Sequence, residues 1–501
     1  MTTSPTLPHV RFAQRERRGA FLGLSWPQLT VICATAAASV MWLLINWDGY
    51  WRIGIWPAAT SIAVGSWTWH RESGLALIWR VLTYAARRHR LQTSFRRDVW
   101  DSRKDEPMKI GTKRRGAEDP REVHRHRLPG AHGSLRFVQV PGRGGFILDP
   151  KRSLVSFSVD VLSSAWPLLD EGVQQAAYDG FVGWMSGLEA VPGLVDATAR
   201  IRVDAKPADE LARYAAERDR TDPSTVSPAA RAEYDTLITA GADRSMQFTN
   251  TVTVSCDLRS LRSAIKHSGG GLVGIAAIVT DLVEQMRDSL EAIGVELRNW
   301  LDTEVIDEML ALAMNPTSFA AESRNDGPNR LAPVMGIEER WDHVQIDGSV
   351  HRTYWIAEWP RSEISVGFLD KLLYSGDSTR VLTLSVRPVP THKALSQVGR
   401  AKVDLEVARG LRQRRGMITT REQDREYEDL GEREDDIVDG FTDMEFRGFV
   451  TVSAADVDGL TRASASILQA AQPARVTLAA MYFQQAAAFM STALPTPVGK
   501  R

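Results

Sequence analysis

Residues 26–69 read WPQLTVICATAAASVMWLLI (26–45), NWDGYWR (46–52) and IGIWPAATSIAVGSWTW (53–69). The first run has roughly the 20 uncharged residues that cross a bilayer, and the second lies at the short end of the spanning range of about 17–25 residues. Aromatic rings, which favour headgroup depth, mark the ends of both runs. The pattern predicts a two-helix transmembrane hairpin, with a buried hairpin in a soluble core as the alternative. Its predicted anchors are Trp26, Trp42, Trp47, Trp51, Trp67 and Trp69.

Basic residues flank the hairpin and predict its orientation. Residues 1–100 hold twelve Lys or Arg and four Asp or Glu, and the intervening turn carries only Asp48 and Arg52. Because basic loops stay on the cytoplasmic side, we expect a multi-pass protein of the inner (plasma) membrane with both termini in the cytoplasm. The basic residues predicted to face lipid are Arg15, Arg17, Arg18, Arg71, Arg87, Arg88 and Arg90.

Polar and juxtamembrane segments surround the anchor. We expect residues 1–25 to form a cytoplasmic lead, and residues 70–130 to form an amphipathic helix followed by a basic linker. Apolar residues between Leu75 and Tyr84 alternate with arginines, which is typical of a helix on an anionic leaflet. Packing of this helix on the protein body is the alternative. The linker also leaves nucleic acid as an uncertain partner, since basic runs near membranes more often meet lipid headgroups.

The rest of the chain predicts a cytoplasmic α+β body of two subdomains, 131–325 and 326–501. Strands are expected at residues 154–161, 248–256 and 380–389, and helices at 167–190, 272–293 and 301–314. Asp347-Gly348 is a hairpin signal between two strands and indicates antiparallel pairing. The loop-rich residues 320–333 suggest the boundary.

A charged helical arm is expected at residues 392–440 of the second subdomain. It has too few apolar residues to bury and should protrude as a contact for a partner or for another copy of the chain. The partner-binding candidates within it are Arg412, Arg414, Arg415, Glu426 and Asp429.

The sequence carries none of the familiar catalytic or cofactor motifs. It has no phosphate-binding G-x-x-x-x-G-K-[ST], no H-E-x-x-H and no G-x-S-x-G. Its two cysteines, Cys33 and Cys256, cannot build a disulfide framework or a zinc site. We therefore expect a non-catalytic protein without cofactor or metal, with a membrane-tethered α/β enzyme as the alternative.

The order of these features resembles bacterial type IV secretion and conjugation machinery. Residues 11–90 look like its small two-span (PrgI-like) inner-membrane subunit. Residues 134–495, which close on FRGFVTV (446–452) and FQQAAAFMSTALP (483–495), are similar to the domain preceding the motor of its secretion ATPase. The resemblance, to an actinobacterial fusion that lacks the motor, implies a scaffold that docks a separately encoded ATPase and other membrane subunits.

A second family shares the same general plan. The E component of type VII secretion also has two N-terminal spans followed by a cytoplasmic α/β body. It is the alternative assignment.

Overall fold

The computed structural model describes residues 9–10, 26–45, 68–69, 72–96, 119–128, 133–163, 169–205, 218, 227–242, 246–316, 334–360, 364–365, 367–374, 376, 378–414 and 421–496. The helices are α1 Trp26–Ile45, α2 Gly74–His89, α3 Glu171–Gly187, α4 Pro228–Ala242, α5 Arg262–His267, α6 Gly271–Glu291, α7 Thr303–Met314, α8 Asp370–Tyr374, α9 Thr391–Arg414, α10 Arg421–Val438, α11 Val457–Ala471 and α12 Gln485–Thr492. The strands are β1 His9–Val10, β2 Thr68–Trp69, β3 Glu72–Ser73, β4 Ser94–Arg96, β5 Arg121–Leu128, β6 Gly133–Gln139, β7 Gly145–Asp149, β8 Leu154–Ser163, β9 Leu194–Ala205, β10 Met246–Asp257, β11 Val295–Trp300, β12 Gly336–Glu339, β13 Val344–Ile346, β14 Ser349–Glu358, β15 Ile364–Ser365, β16 Thr379–Pro388, β17 Met444–Ala454 and β18 Thr477–Ala480.

One antiparallel sheet of fourteen strands organises the described part of the chain. Its order is β4-β12-β13-β14-β17-β16-β9-β10-β8-β7-β6-β5, with β11 added on β8 and β18 added on β14. The central strands are long and rich in β-branched residues, which suit a pleated and buried surface. β9 pairs with β10 on one side and β16 on the other, so the sheet runs without a break across the expected boundary between the two subdomains.

One face of the sheet is covered by two amphipathic helices. α6 packs Val279, Val283 and Met286 on β8 and β10, and α11 packs Leu460 and Ile467 on β16 and β17. The buried helical positions recur every three or four residues, as an apolar stripe facing a sheet requires. This packing forms the two large apolar cores of the body.

A third apolar core lies on the opposite face, around α7 and α12. Phe137 of β6 and Val344 of β13 both pack into it, beside Leu310 and Phe489 of the two helices. β6 and β13 are far apart in the strand order. The sheet must therefore curve around α7 and α12.

The middle of this same face is polar although it is buried. We call it the polar layer; cross-strand pairing places its residues on one face of five neighbouring central strands and β14. Its members are Ser156, Ser158, Asp196, Thr198, Arg200, Arg202, Thr251, Thr253, Ser255, His351, Thr353, Thr383, Ser385, Thr451 and Ser453.

The carboxyl ends of α7 and α12 explain this polarity. The last carbonyls of a helix have no partner within it and carry partial negative charge. Arg200 Nε donates to the Thr492 carbonyl at 2.9 Å, and Arg202 Nη2 donates to the Leu312 carbonyl at 3.1 Å. The polar layer thus supplies the hydrogen bonds that two helix ends need inside the protein.

The structure corrects the N-terminal expectation. Within the described ranges, no helix combines the length and the apolar character needed to cross a bilayer. The predicted transmembrane hairpin is therefore wrong, and so is the multi-pass inner-membrane placement with both termini in the cytoplasm. Residues 53–67 of the second expected span lie outside the described residues.

The structure confirms the α+β character and the mainly antiparallel sheet. The strands expected at 154–161, 248–256 and 380–389 are β8, β10 and β16, and the helices expected at 272–293 and 301–314 are α6 and α7. Asp347, in the left-handed region with φ 47°, turns the chain between β13 and β14 as predicted. The division into subdomains at residue 325 stays a prediction, because a continuous sheet does not decide whether its halves fold separately.

Candidate interaction surface

The helix α2 lies on the body with its polar side inward. Among the buried and half-buried positions of α2, Leu77, Arg80, Tyr84 and Arg87 follow one another at three or four residues and so share one helix face. The other buried or half-buried positions are the small residues Gly74, Ala76 and Thr83. That face carries two arginines and a tyrosine. A helix that buries an apolar stripe would show the reverse arrangement.

Specific bonds hold this face in place. The Tyr84 hydroxyl donates to the Glu339 carbonyl at 3.3 Å, and the Tyr84 ring lies 5.5 Å from that of Phe483. Arg87 Nη1 meets Glu339 Oε2 at 2.9 Å, while its Nη2 donates to the Phe483 carbonyl at 2.7 Å. Within this ion pair, the Arg87 side chain is 32% exposed, whereas the Glu339 side chain is 2% exposed. A buried carboxylate needs such a cation.

Glu339 also connects α2 to α12. Its Oε1 accepts from the Ala486 amide, in the first turn of α12, at 3.2 Å. A carboxylate at a helix amino end satisfies a free amide and interacts well with the helix dipole. Burial raises the pKa of Glu339, and the Arg87 charge and the Ala486 hydrogen bond oppose that rise.

The opposite side of α2 is apolar and faces solvent. Trp79 is 69% exposed and Leu82 is 58% exposed, with Ile78 and Val81 beside them. We call these four residues the outer α2 face. Arg88, His89 and Arg90 are exposed at the end of the helix. Apolar side chains at consecutive exposed positions on one element indicate a surface that binds something.

Aromatic side chains continue from the docked face of α2. The Trp341 ring stacks on that of Tyr482, with centroids 5.4 Å apart, and Phe483 lies 6.3 Å away. Phe483 has a left-handed backbone with φ 64°, and its amide donates to the Trp341 carbonyl at 2.7 Å. This left-handed conformation at a bulky residue aims its carbonyl at Arg87, which fits a fixed docking point for α2.

The charged arm is an antiparallel pair of helices, α9 and α10. Its base is apolar, through Ala394, Val398 and Ile437. Near the base, Arg433 binds Asp443 at 2.6 Å. Farther out, Lys402 forms an ion pair with Glu434, and the Arg409 guanidinium lies 5.3 Å from the centre of the Tyr427 ring. The arm is therefore rooted in the protein while its outer part is held by polar contacts.

The polar layer is the other candidate site, and its groups bind one another. Ser385 Oγ and Thr198 Oγ1 donate to the Asp196 carboxylate at 2.5 and 2.6 Å, and burial raises the pKa of Asp196. Arg200 is also bonded to Thr253 Oγ1 at 2.8 Å. In the described residues, no group of three or more His, Cys, Asp or Glu could hold a metal ion. The chemistry visible here is internal hydrogen bonding.

The structure places the predicted site residues unevenly. Arg87 contacts the body, whereas Arg88, Arg90, Trp42 and Asp429 are exposed. Trp26 and Trp69 lie in α1 and β2, Arg412 and Arg414 in α9, and Glu426 in α10, with no description of their side chains. The remaining candidates, Arg15, Arg17, Arg18, Trp47, Trp51, Trp67, Arg71 and Arg415, lie outside the described residues. The predicted roles stay predictions.

Sequence reasoning missed that Tyr84 and Arg87 of α2 dock on Glu339 and Phe483. One signal for the burial of Glu339 was available at the end of its short strand. Glu339 pairs across the hairpin with Val344, which is apolar and buried, so both side chains lie on the buried face. A carboxylate on the buried face of a strand requires a cationic partner. That partner, Arg87, lies 252 residues earlier in the chain and could not be identified from the sequence.

Part of the chain is similar to a known secretion family. Residues 245–356, from the start of β10 into β14, match the family model described as "Putative type VII ESX secretion system translocon, EccE". No curated protein matches the chain. The similarity supports the assignment of the chain as a secretion-system component that associates with other membrane subunits. It favours the type VII alternative, and it gives no support to the type IV and conjugation expectation.

Proposed function

We propose that this chain is an E-like subunit of a type VII (ESX) secretion complex. The observation that carries the proposal is the match over residues 245–356. That segment includes β10 at the sheet centre, the helices α6 and α7, and Glu339, which holds α2. The similarity therefore falls on elements that build the body and its docking point.

We further propose that its role is non-catalytic: it binds other membrane subunits of the complex, including a separately encoded ATPase. The internal bonding of Asp196, Ser385 and Arg200 supports this reading, since these groups already hold helix ends and each other. The outer part of the α9–α10 pair is the proposed partner contact. Its exposed acidic side chains, among them Glu428 and Asp429, suit a basic partner surface.

Co-purification of the full chain with the other type VII membrane subunits tests the assignment. We expect a tagged chain to recover those subunits and the ATPase from membranes. The double variant Glu428→Lys/Asp429→Lys should weaken recovery of the ATPase. The matched control Asp281→Lys/Glu291→Lys, at exposed positions of α6, should not.

Loss of secretion on gene deletion, with rescue by the parent chain, is the second expected result. Asp196→Asn should also rescue if the polar layer has no catalytic role. A chain that purifies alone, while the other subunits purify together, would refute the assignment. Failure of Asp196→Asn to rescue, although the variant is folded and at least as stable as the parent at the assay pH, would refute only the non-catalytic role.

A further inference from the structure

The apolar side of α2 is turned outward by bonds made on its other side. Tyr84 and Arg87 are tied to Glu339 and Phe483, so rotating α2 to bury Trp79 and Leu82 would break the Arg87–Glu339 pair. That rotation would leave the Glu339 carboxylate buried without its cation, which is strongly unfavourable. The body therefore enforces the exposure of the outer α2 face.

The shape of this face is that of an interfacial helix. α2 has sixteen residues and is about 24 Å long. Ile78, Trp79, Val81 and Leu82 form its exposed apolar surface. A tryptophan with an apolar body and a polar N–H is suited to the boundary between headgroups and acyl chains.

The charge of the segment selects the partner. Residues 74–92 contain Arg80, Arg87, Arg88, His89 and Arg90 and no Asp or Glu. A helix that binds another protein commonly carries both signs of charge, which fix register and partner choice. A single positive sign beside an apolar face matches an anionic lipid surface instead, because such a surface offers negative charge without a fixed register.

We propose that the outer α2 face binds an anionic lipid surface, with Trp79 and Leu82 inserted and Arg88 and Arg90 at the headgroups. The Arg87–Glu339 pair then fixes the angle at which the body meets that surface. This inference goes beyond the proposed function and does not depend on the secretion family. In this arrangement α2 lies along the lipid surface and does not cross the bilayer.

Vesicle binding by the full chain tests the proposal. The chain is mixed with phosphatidylcholine vesicles, or with vesicles in which phosphatidylglycerol replaces roughly a third of the lipid. We expect Trp79→Gln/Leu82→Gln to lower partitioning into the anionic vesicles by about tenfold or more. The matched control is Val403→Gln/Val407→Gln on α9, where the side chains are 58% and 57% exposed, and it should bind like the parent.

A local probe removes any contribution from other apolar segments. Leu82→Cys in a Cys33→Ser background places a solvent-sensitive fluorophore on the outer α2 face, since Cys256 is buried. Its emission should shift to the blue on anionic vesicles, and less so on phosphatidylcholine alone. Added salt should reverse the shift, and Arg88→Glu/Arg90→Glu should reduce it.

Three results would overturn the proposal. The first is equal vesicle binding by the parent and Trp79→Gln/Leu82→Gln, both folded by melting temperature. The second is a probe at position 82 whose emission does not change with anionic lipid. The third is a probe that shifts only when another subunit is added, which would make the outer α2 face a protein-docking surface.

Discussion

His351 should make the stability of the protein fall as the pH is lowered below neutral. The ring is fully buried: Nε2 lies 3.0 Å from the Met314 carbonyl, and Nδ1 lies 2.8 Å from Ser453 Oγ. This geometry fits the neutral tautomer that donates from Nε2 to the carbonyl and accepts the serine proton at Nδ1. Burial lowers the pKa of His351 from 6.5 to about 3, and the nearby Arg202 charge lowers it further, against the Met314 hydrogen bond.

The size of the effect follows from the two pKa values. The folded-state pKa is depressed, so the stabilising contribution is complete above pH 6.5 and is lost as the pH falls toward 3. Taking a pKa of 6.5 for the unfolded chain, the loss is about 1.4 kcal/mol at pH 5.5 and about 2.7 kcal/mol at pH 4.5. The proton gained by the unfolded chain supplies this difference.

The assay compares the parent with His351→Gln, whose side-chain amide can still donate to the Met314 carbonyl. Free energies of unfolding in urea are measured from pH 7.5 down to pH 4.5. Only the difference between the two proteins counts, because Asp196 and Glu339 have raised pKa values and shift stability in the opposite direction. We expect the parent to lose its advantage over His351→Gln as the pH falls. A difference that stays constant would show that His351 is accessible to protons in the folded state, and would refute the reasoning.

Three further predictions concern the polar layer and the packing of one turn. Arg200→Met should lower the free energy of unfolding by about 2–4 kcal/mol, because it removes the donor to the carbonyls of Thr492 and Thr496. Amide hydrogen exchange in residues 485–496 should rise, and unchanged exchange would show that Arg200 does not hold this segment. Asp196→Asn should gain stability relative to the parent as the pH rises from about 4 to about 8, since the raised pKa marks a carboxylate whose charge is unfavourable in the fold; urea unfolding showing the opposite slope would contradict this. Gly144→Ala should cost about 1–3 kcal/mol in thermal unfolding, because the new Cβ would lie 2.4 Å from Trp300 Cγ, whereas Gly142→Ala would meet no neighbour there and suffers only from its left-handed backbone.

The regular elements were predictable because their signals are local. β10 and β16 are long runs rich in Val and Thr, and α6 repeats apolar residues every three or four positions. The Asp347-Gly348 turn is set by two adjacent residues. In each case the chemistry that forms the element lies within the element itself.

The polar layer could not be predicted, because alternating Ser and Thr in a strand look like a solvent-facing side. Thr198, Thr253 and Ser385 have that pattern and are nevertheless buried. What buries them is the arrival of helix ends from distant parts of the chain. The Arg200–Thr492 hydrogen bond spans 292 residues, and the residues near Arg200 in the sequence do not predict it.

The orientation of α2 was also beyond the sequence. Its pattern shows an apolar side and a basic side, and ordinary packing would bury the apolar one. The buried carboxylate of Glu339 reverses this choice, because it draws Arg87 inward. From the sequence, binding to lipid and packing on the body were alternatives for this helix. In the structure its inner side packs on the body, and its outer side is exposed.

The shared carboxylate of Glu339 makes the positions of α2 and α12 depend on each other. One oxygen binds Arg87 and the other binds the Ala486 amide, so α12 is held at its amino end by Glu339 and at its carboxyl end by Arg200. A shift of α12 would move the carboxylate that holds Arg87 and would weaken the docking of α2. Conversely, a force on the outer α2 face reaches α12 through two charged contacts. Rigid packing of Phe489 and Met490 in the surrounding core resists that force, which gives the exposed face of α2 a fixed direction relative to the sheet.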